Sequence, residues 1–205
     1  MKVNPPARRT QAERTAATRA ALLAAARNLF ATRGFAEVST QAIVEAAGVT
    51  RGALYHQFAD KAELFTAVYE ELEAELVAAV GAGIAEAAPA GTVEAMRLGA
   101  RLFLDLCSEP TAQQIALRDA PSVLGWQQWR AVGAKYGLGV IEAMLAQAVA
   151  EGAIPEQPLR AGAHVLLGAL DEAALYIAAA ADQDAAKAEM YTVCDRVIMG
   201  LAAPR

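Results

Sequence analysis

The chain has 205 residues, 56% hydrophobic and only 6% aromatic, with two cysteines, two histidines and a net charge of −5. An alanine-rich mixture poor in β-branched runs favours helix over strand, and the distant Cys107 and Cys194, without a CxxC or a histidine cluster, suggest neither a disulfide framework nor a zinc site. The charge is uneven: residues 1–61 carry nine Lys/Arg against four Asp/Glu, net +5, and residues 62–205 carry nine against nineteen, net −10, the pattern of a basic functional head on an acidic body.

The opening "MKVNPPARRTQAERT" is basic but has no apolar segment behind it, so no secretory leader is expected. The longest strongly apolar run, Ala173 to Ala181, is nine residues, against about 20 for a bilayer-spanning helix. A cytoplasmic protein with no membrane association is expected.

From about Ala12 to Arg33 the run "ALLAAARNLF" places Leu22, Leu23, Ala26, Leu29 and Phe30 on one stripe of a helix. Gly34 ends it, suited to a left-handed position, and Phe35 folds back. Three helix starts follow. Val38-Ser39 with Ile43, and Val49-Thr50 with Leu54, each give an apolar residue, a hydroxyl cap and an apolar residue one turn on, a hydrophobic staple with a capping oxygen. Asp60-Lys61-Ala62-Glu63 reads as a capping box with Asp as the cap. Two short helices, near 40 and 51, are thus joined by a turn at Gly48, which is a helix-turn-helix. Beyond Asp60 helices are expected near 61–86, 92–108, 110–119, 123–151, 159–181 and 184–202, with breaks at "APAG", "SEP", "DAPS", "EGAIPEQP" and "ADQD".

A helix-turn-helix points the start of its second helix at base edges in the major groove, while the preceding helix crosses the backbone. Arg51 can make a bidentate contact with guanine, Thr50 offers a hydroxyl and a methyl, and Gly52 lets the backbone come close to DNA. Tyr55 and His56 can donate to phosphate oxygens, Ser39 and Thr40 can add hydroxyl or backbone N–H contacts, and Lys61 is a further phosphate candidate. Arg8 and Arg9 on the N-terminal arm could reach an adjacent groove. Each side chain also has a structural use: Ser39 and Thr50 as caps, Tyr55 as a half-buried aromatic, Lys61 as a solvated charge.

The segment "ALLAAARNLFATRGFAEVSTQAIVEAAGVTRGALYHQFADKAELF", Ala21 to Phe65, resembles the DNA-binding domain of the TetR family of bacterial transcriptional regulators. The resemblance is carried by Ala26, Phe30, Gly34-Phe35, Ser39-Thr40, Ile43, Ala46-Ala47-Gly48-Val49, Gly52, Leu54-Tyr55, Phe58, Lys61 and Leu64. It implies an all-α protein of nine or so helices: a three-helix DNA-binding head over residues 1–60, and a larger effector-binding and dimerisation domain over 61–205, the helix 61–86 linking them. It also implies phosphate contacts from Thr40, Tyr55 and Lys61, base reading by Thr50, Arg51 and Gly52, and a homodimer through the helices 159–181 and 184–202. Gln57 departs from the His or Tyr that many members place before the Phe, yet can still hydrogen-bond a phosphate.

In the body, Trp126 and Trp129 share a helix face. Phe103, Cys107, Trp126, Trp129, Tyr136, His164, Asp171 and Tyr176 are candidates to border an effector pocket, or else ordinary core and subunit-contact residues. "GLGVIE" and "GAGIAE" look like pieces of a dinucleotide fingerprint, but no strand precedes either. With no nucleophile, metal or phosphate-loop motif, neither an enzyme nor a cofactor or metal site is expected. The expectation is a repressor released from a palindromic operator by a small, largely apolar effector; the alternative is an all-helical small-molecule binder or enzyme without operator binding.

Overall fold

A computed structural model describes residues 10–202, helical with no strand among the described residues. Eleven α-helical segments run in order: α1 (Gln11–Glu37), α2 (Thr40–Ala47), α3 (Arg51–Gln57), α4 (Lys61–Ala87), α5 (Thr92–Cys107), α6 (Pro110–Ala112), α7 (Ala120–Leu124), α8 (Trp126–Gly133), α9 (Gly139–Ala150), α10 (Leu159–Ala179) and α11 (Gln183–Ala202). Two π-helical stretches, Gln113–Asp119 and Ala134–Leu138, join α6 to α7 and α8 to α9, so that the described residues form nine runs of helix, the first kinked at Gly34. The chain divides into two compact units between Val68 and Tyr69, inside α4. The division falls later than residue 60 because the first turns of α4 belong to the core of the first unit, where Phe65 packs edge-on at 5.2 Å from both Phe30 and Phe35.

In the first unit the helix starts are set by the residues that the sequence marks. Ser39 and Thr50 adopt extended backbone and accept hydrogen bonds from the Ala42 and Ala53 amides, at 3.1 and 3.2 Å. Val38, Ile43, Leu54 and Phe58 are buried beneath them. α1 opens on a full capping box, Thr10 with Glu13, one residue before the start expected from the apolar pattern. At α4 Asp60 accepts from the Glu63 amide at 2.8 Å, while the Glu63 carboxylate reaches back to the amide of Ala59, so the box closes one residue further back than expected. Gly34 breaks α1 with φ 76 and ψ 160, a positive φ outside the left-handed helical well. Gly48 sits in that well, φ 64 and ψ 32, and turns the chain from α2 to α3.

In the second unit Met96, Leu145, Ala163, Leu166, Leu167 and Ile198 form one core shared by α5, α9, α10 and α11. Gly83 and Gly99 let α4 and α5 approach: a Cβ at Gly83 would stand 2.8 Å from Leu102, and one at Gly99 3.1 Å from Ile84. α10 alone among the described helices is long and apolar enough to cross a membrane by length and composition, although its longest run of apolar residues is short. Its apolar side packs on α5, α9 and α11.

The break expected at "DAPS" is absent: the helix runs through Pro121 and stops at Gly125, φ 77. Proline has no amide hydrogen and its ring crowds the carbonyl one turn back. Here the turn before it is widened, the Ala120 amide bonding to the Ile115 carbonyl five residues earlier. That pattern would pair the Ala116 carbonyl with residue 121, which has no N–H to give. The buried indole of Trp129 supplies it instead, donating to the Ala116 carbonyl at 2.9 Å.

Candidate nucleic-acid interface and ligand cavity

Leu54 and Phe58 anchor α3 in the head, leaving Arg51, Gly52, Tyr55 and His56 exposed on its outer side; Thr40 and Gln57 are half-buried and Ser39 and Thr50 exposed. Arg51 Nη2 donates to the Tyr55 hydroxyl at 3.4 Å and its guanidinium lies 5.5 Å from the Tyr55 ring centre. Hydrogen bonds from Arg51 first, and from Thr40, hold the Tyr55 hydroxyl below the usual phenol range. Thr40, Arg51 and Tyr55 therefore form one polar cluster across α2 and α3. The oxygens of Ser39 and Thr50 are used in capping, which leaves their hydroxyl hydrogens to donate outward. A Cβ at Gly52 would meet only the Thr50 hydroxyl, at 3.9 Å, so packing within the head does not require glycine there.

Lys61 is more than a solvated surface charge. Its ammonium donates to the carbonyls of Phe35 and Val38, both at 2.8 Å, and lies 4.0 Å from the Phe35 ring centre. An ammonium has three donors, so one remains for a phosphate. Arg8 and Arg9 lie outside the described residues.

Within the second unit a cavity of about 130 Å³ is walled by α4, α5, α9, α10 and α11, by Gly133 at the end of α8 and by Gly137 in the second π-helical stretch. Its lining is almost wholly apolar; the two ionisable oxygen-bearing residues on it are Glu73 and Asp171. Burial pushes the Glu73 carboxyl up to about 7, with Asp171 adding to the rise and a hydrogen bond from Tyr69 opposing it. Burial likewise raises Asp171 to about 6, against the pull of Arg130, whose Nη1 lies 2.9 Å from Asp171 Oδ2. Desolvation first, then these two acids, pushes the nearby Cys107 thiol well above its ordinary value.

Of the eight residues expected around a pocket, Phe103 and Asp171 line this cavity. The other six lie elsewhere. Trp129 is occupied in capping the Ala116 carbonyl, and Trp126 leans on it at 4.8 Å with 55% of its surface exposed. Tyr136 stacks with the Lys135 ammonium, 5.0 Å from its ring centre. His164 and Tyr176 are on the exposed side of α10, the latter reaching Glu189, and Cys107 is buried without lining the cavity. Glu73 is the residue that the sequence reading missed. Its signal was an acid on the α4 stripe Glu73-Val77-Val80-Ile84, all of which line the cavity.

Residues 22–68 match the family model described as bacterial regulatory proteins, tetR family, and residues 93–201 match the tetracyclin repressor-like C-terminal domain. The transcriptional regulator CymR of Pseudomonas putida is 38% identical over 102 residues, 49% of this chain and 50% of that protein. The regulator AcrR of Shigella flexneri is 41% identical over 70 residues, 34% of this chain and 32% of that one. The matched segments thus span half or less of these curated relatives. A solved TetR-family transcriptional regulator from Pectobacterium atrosepticum is 34% identical with a TM-score of 0.83, covering 96% of this chain and all of that one. The chain belongs to the TetR family of bacterial regulatory proteins.

Proposed function

We propose that the protein is a cytoplasmic transcriptional repressor that binds a palindromic DNA operator as a homodimer and is released by a small, largely apolar effector held in the cavity. The observation that carries this reading is α3: a short helix pinned by Leu54 and Phe58 that presents Arg51, Gly52, Tyr55 and His56 together. The head's net positive charge supports it further, as do the exposed Val165 and Tyr176 on one flank of α10 and Val193 and Val197 on one flank of α11, apolar side chains that a second copy would cover. Two heads reading successive major grooves need recognition helices about 34 Å or somewhat more apart. An effector releases the operator only to the extent that it binds the non-docking form more tightly.

Selection of bound sequences from random duplex DNA tests the reading. The expected product is a palindrome whose complex weakens steeply with salt. An Arg51→Ala variant should keep binding while relaxing the preference at the bases it faces.

A further inference from the structure

The cavity that this reading assigns to the effector has a chemistry of its own. Its volume, about 130 Å³, is close to that of an engineered cavity of about 150 Å³ that takes up benzene, so one six-membered ring and a short substituent fill it. Twenty of its twenty-two lining residues bring carbon, sulfur or glycine backbone to the wall; the other two, Glu73 on α4 and Asp171 on α10, bring carboxylates. Their surroundings differ. Asp171 is paired with Arg130, which does not itself line the cavity. Glu73 takes a hydrogen bond from Tyr69 on its own helix, and the charged group that acts on it is Asp171, of its own sign. Among the described residues no cation lines the cavity. Glu73 thus sits on an almost wholly apolar wall with no partner of opposite charge, and a carboxylate desolvated in this way gains most from a donor carrying opposite charge.

We propose that the cavity binds a ring-sized apolar molecule whose head group donates hydrogen bonds to Glu73, a protonated amine above a neutral hydroxyl, and that it rejects carboxylates. This deepens the effector reading and rests on it only for the consequence for DNA. Two acidic acceptors of like charge, with no lining cation between them, make an anionic head repulsive. A hydroxyl is accepted without charge compensation, and an ammonium both donates and neutralises. Because Glu73 titrates near neutrality beside Tyr69, Asp171, Cys107 and the Arg130 paired to Asp171, amine affinity should fall from pH 8 to pH 6 as Glu73 takes up its proton, while alcohol affinity should hold.

Calorimetric titration of the full-length protein with benzylamine, benzyl alcohol and benzoate at pH 8 tests this, since the three share a ring and differ in the head. Benzylamine should bind about tenfold more tightly than benzyl alcohol, with benzoate weakest. Glu73→Gln, with folding checked by circular dichroism, should bring amine and alcohol to within about twofold of each other. Val80→Trp, which fills the cavity, should abolish binding of all three. Benzoate binding as tightly as benzylamine, an unchanged amine preference in Glu73→Gln, or benzylamine binding that survives Val80→Trp would each overturn the proposal. Operator release is read separately. If the ranking holds but no amine releases DNA, the site chemistry stands and the effector role fails; if another molecule releases DNA while the ranking fails, the reverse follows.

Discussion

Lys61, Gly52 and Glu73 each set an expectation for a single substitution. Lys61 reads from sequence as a phosphate-contacting charge, yet two of its three donors hold the Phe35 and Val38 carbonyls. Lys61→Ala should therefore cost the head about 1 to 3 kcal/mol in urea unfolding, before any effect on DNA. At Gly52 the open space where a Cβ would stand leads to the opposite expectation. Gly52→Ala should raise helix stability by about 0.5 to 1 kcal/mol yet weaken operator binding in a mobility-shift assay. Glu73 has a folded-state value raised to about 7 by burial, so between its unfolded value and about 7 the folded chain holds more protons than the unfolded one. Its effect on stability thus falls as pH rises through that window and stays lost above it. Glu73→Gln should raise the melting temperature at pH 8 and leave it near wild type at pH 5.

At the scale of elements, the helix starts were legible because their signals are local: a hydroxyl, an apolar residue before it and another one turn on. The caps at Ser39 and Thr50 form as the pattern requires. The stretch from Gln113 to Leu138 was not, because Pro121 reads locally as a break and is instead absorbed by a π turn and an indole from thirteen residues beyond Ala116. No local pattern announces that bond. It also gives Trp129, a candidate for a pocket wall, a structural task. Trp129→Phe should leave the Ala116 carbonyl unpaired and cost about 1 to 3 kcal/mol, with the affinity of a cavity ligand unchanged. Little of the cavity itself was legible: Phe103 and Asp171 were found by residue type, whereas the acid Glu73 on the stripe with Val77 and Val80 marks a polar point on α4 without saying that the stripe faces a void.

For the molecule as a whole, the split in charge and the two family matches both set a basic N-terminal part apart from an acidic, apolar-cored body. On the proposed account the body also sets the spacing of two heads by pairing through α10 and α11. Val165, 66% exposed, loses little in the monomer if replaced; Val165→Glu should yield monomers in analytical ultracentrifugation and bind the operator far more weakly. The central claim is sequence-specific operator binding, and selection from random duplex DNA by the wild-type protein at moderate salt measures it directly. The account predicts enrichment of one palindrome; recovery of no sequence above the starting pool would contradict it.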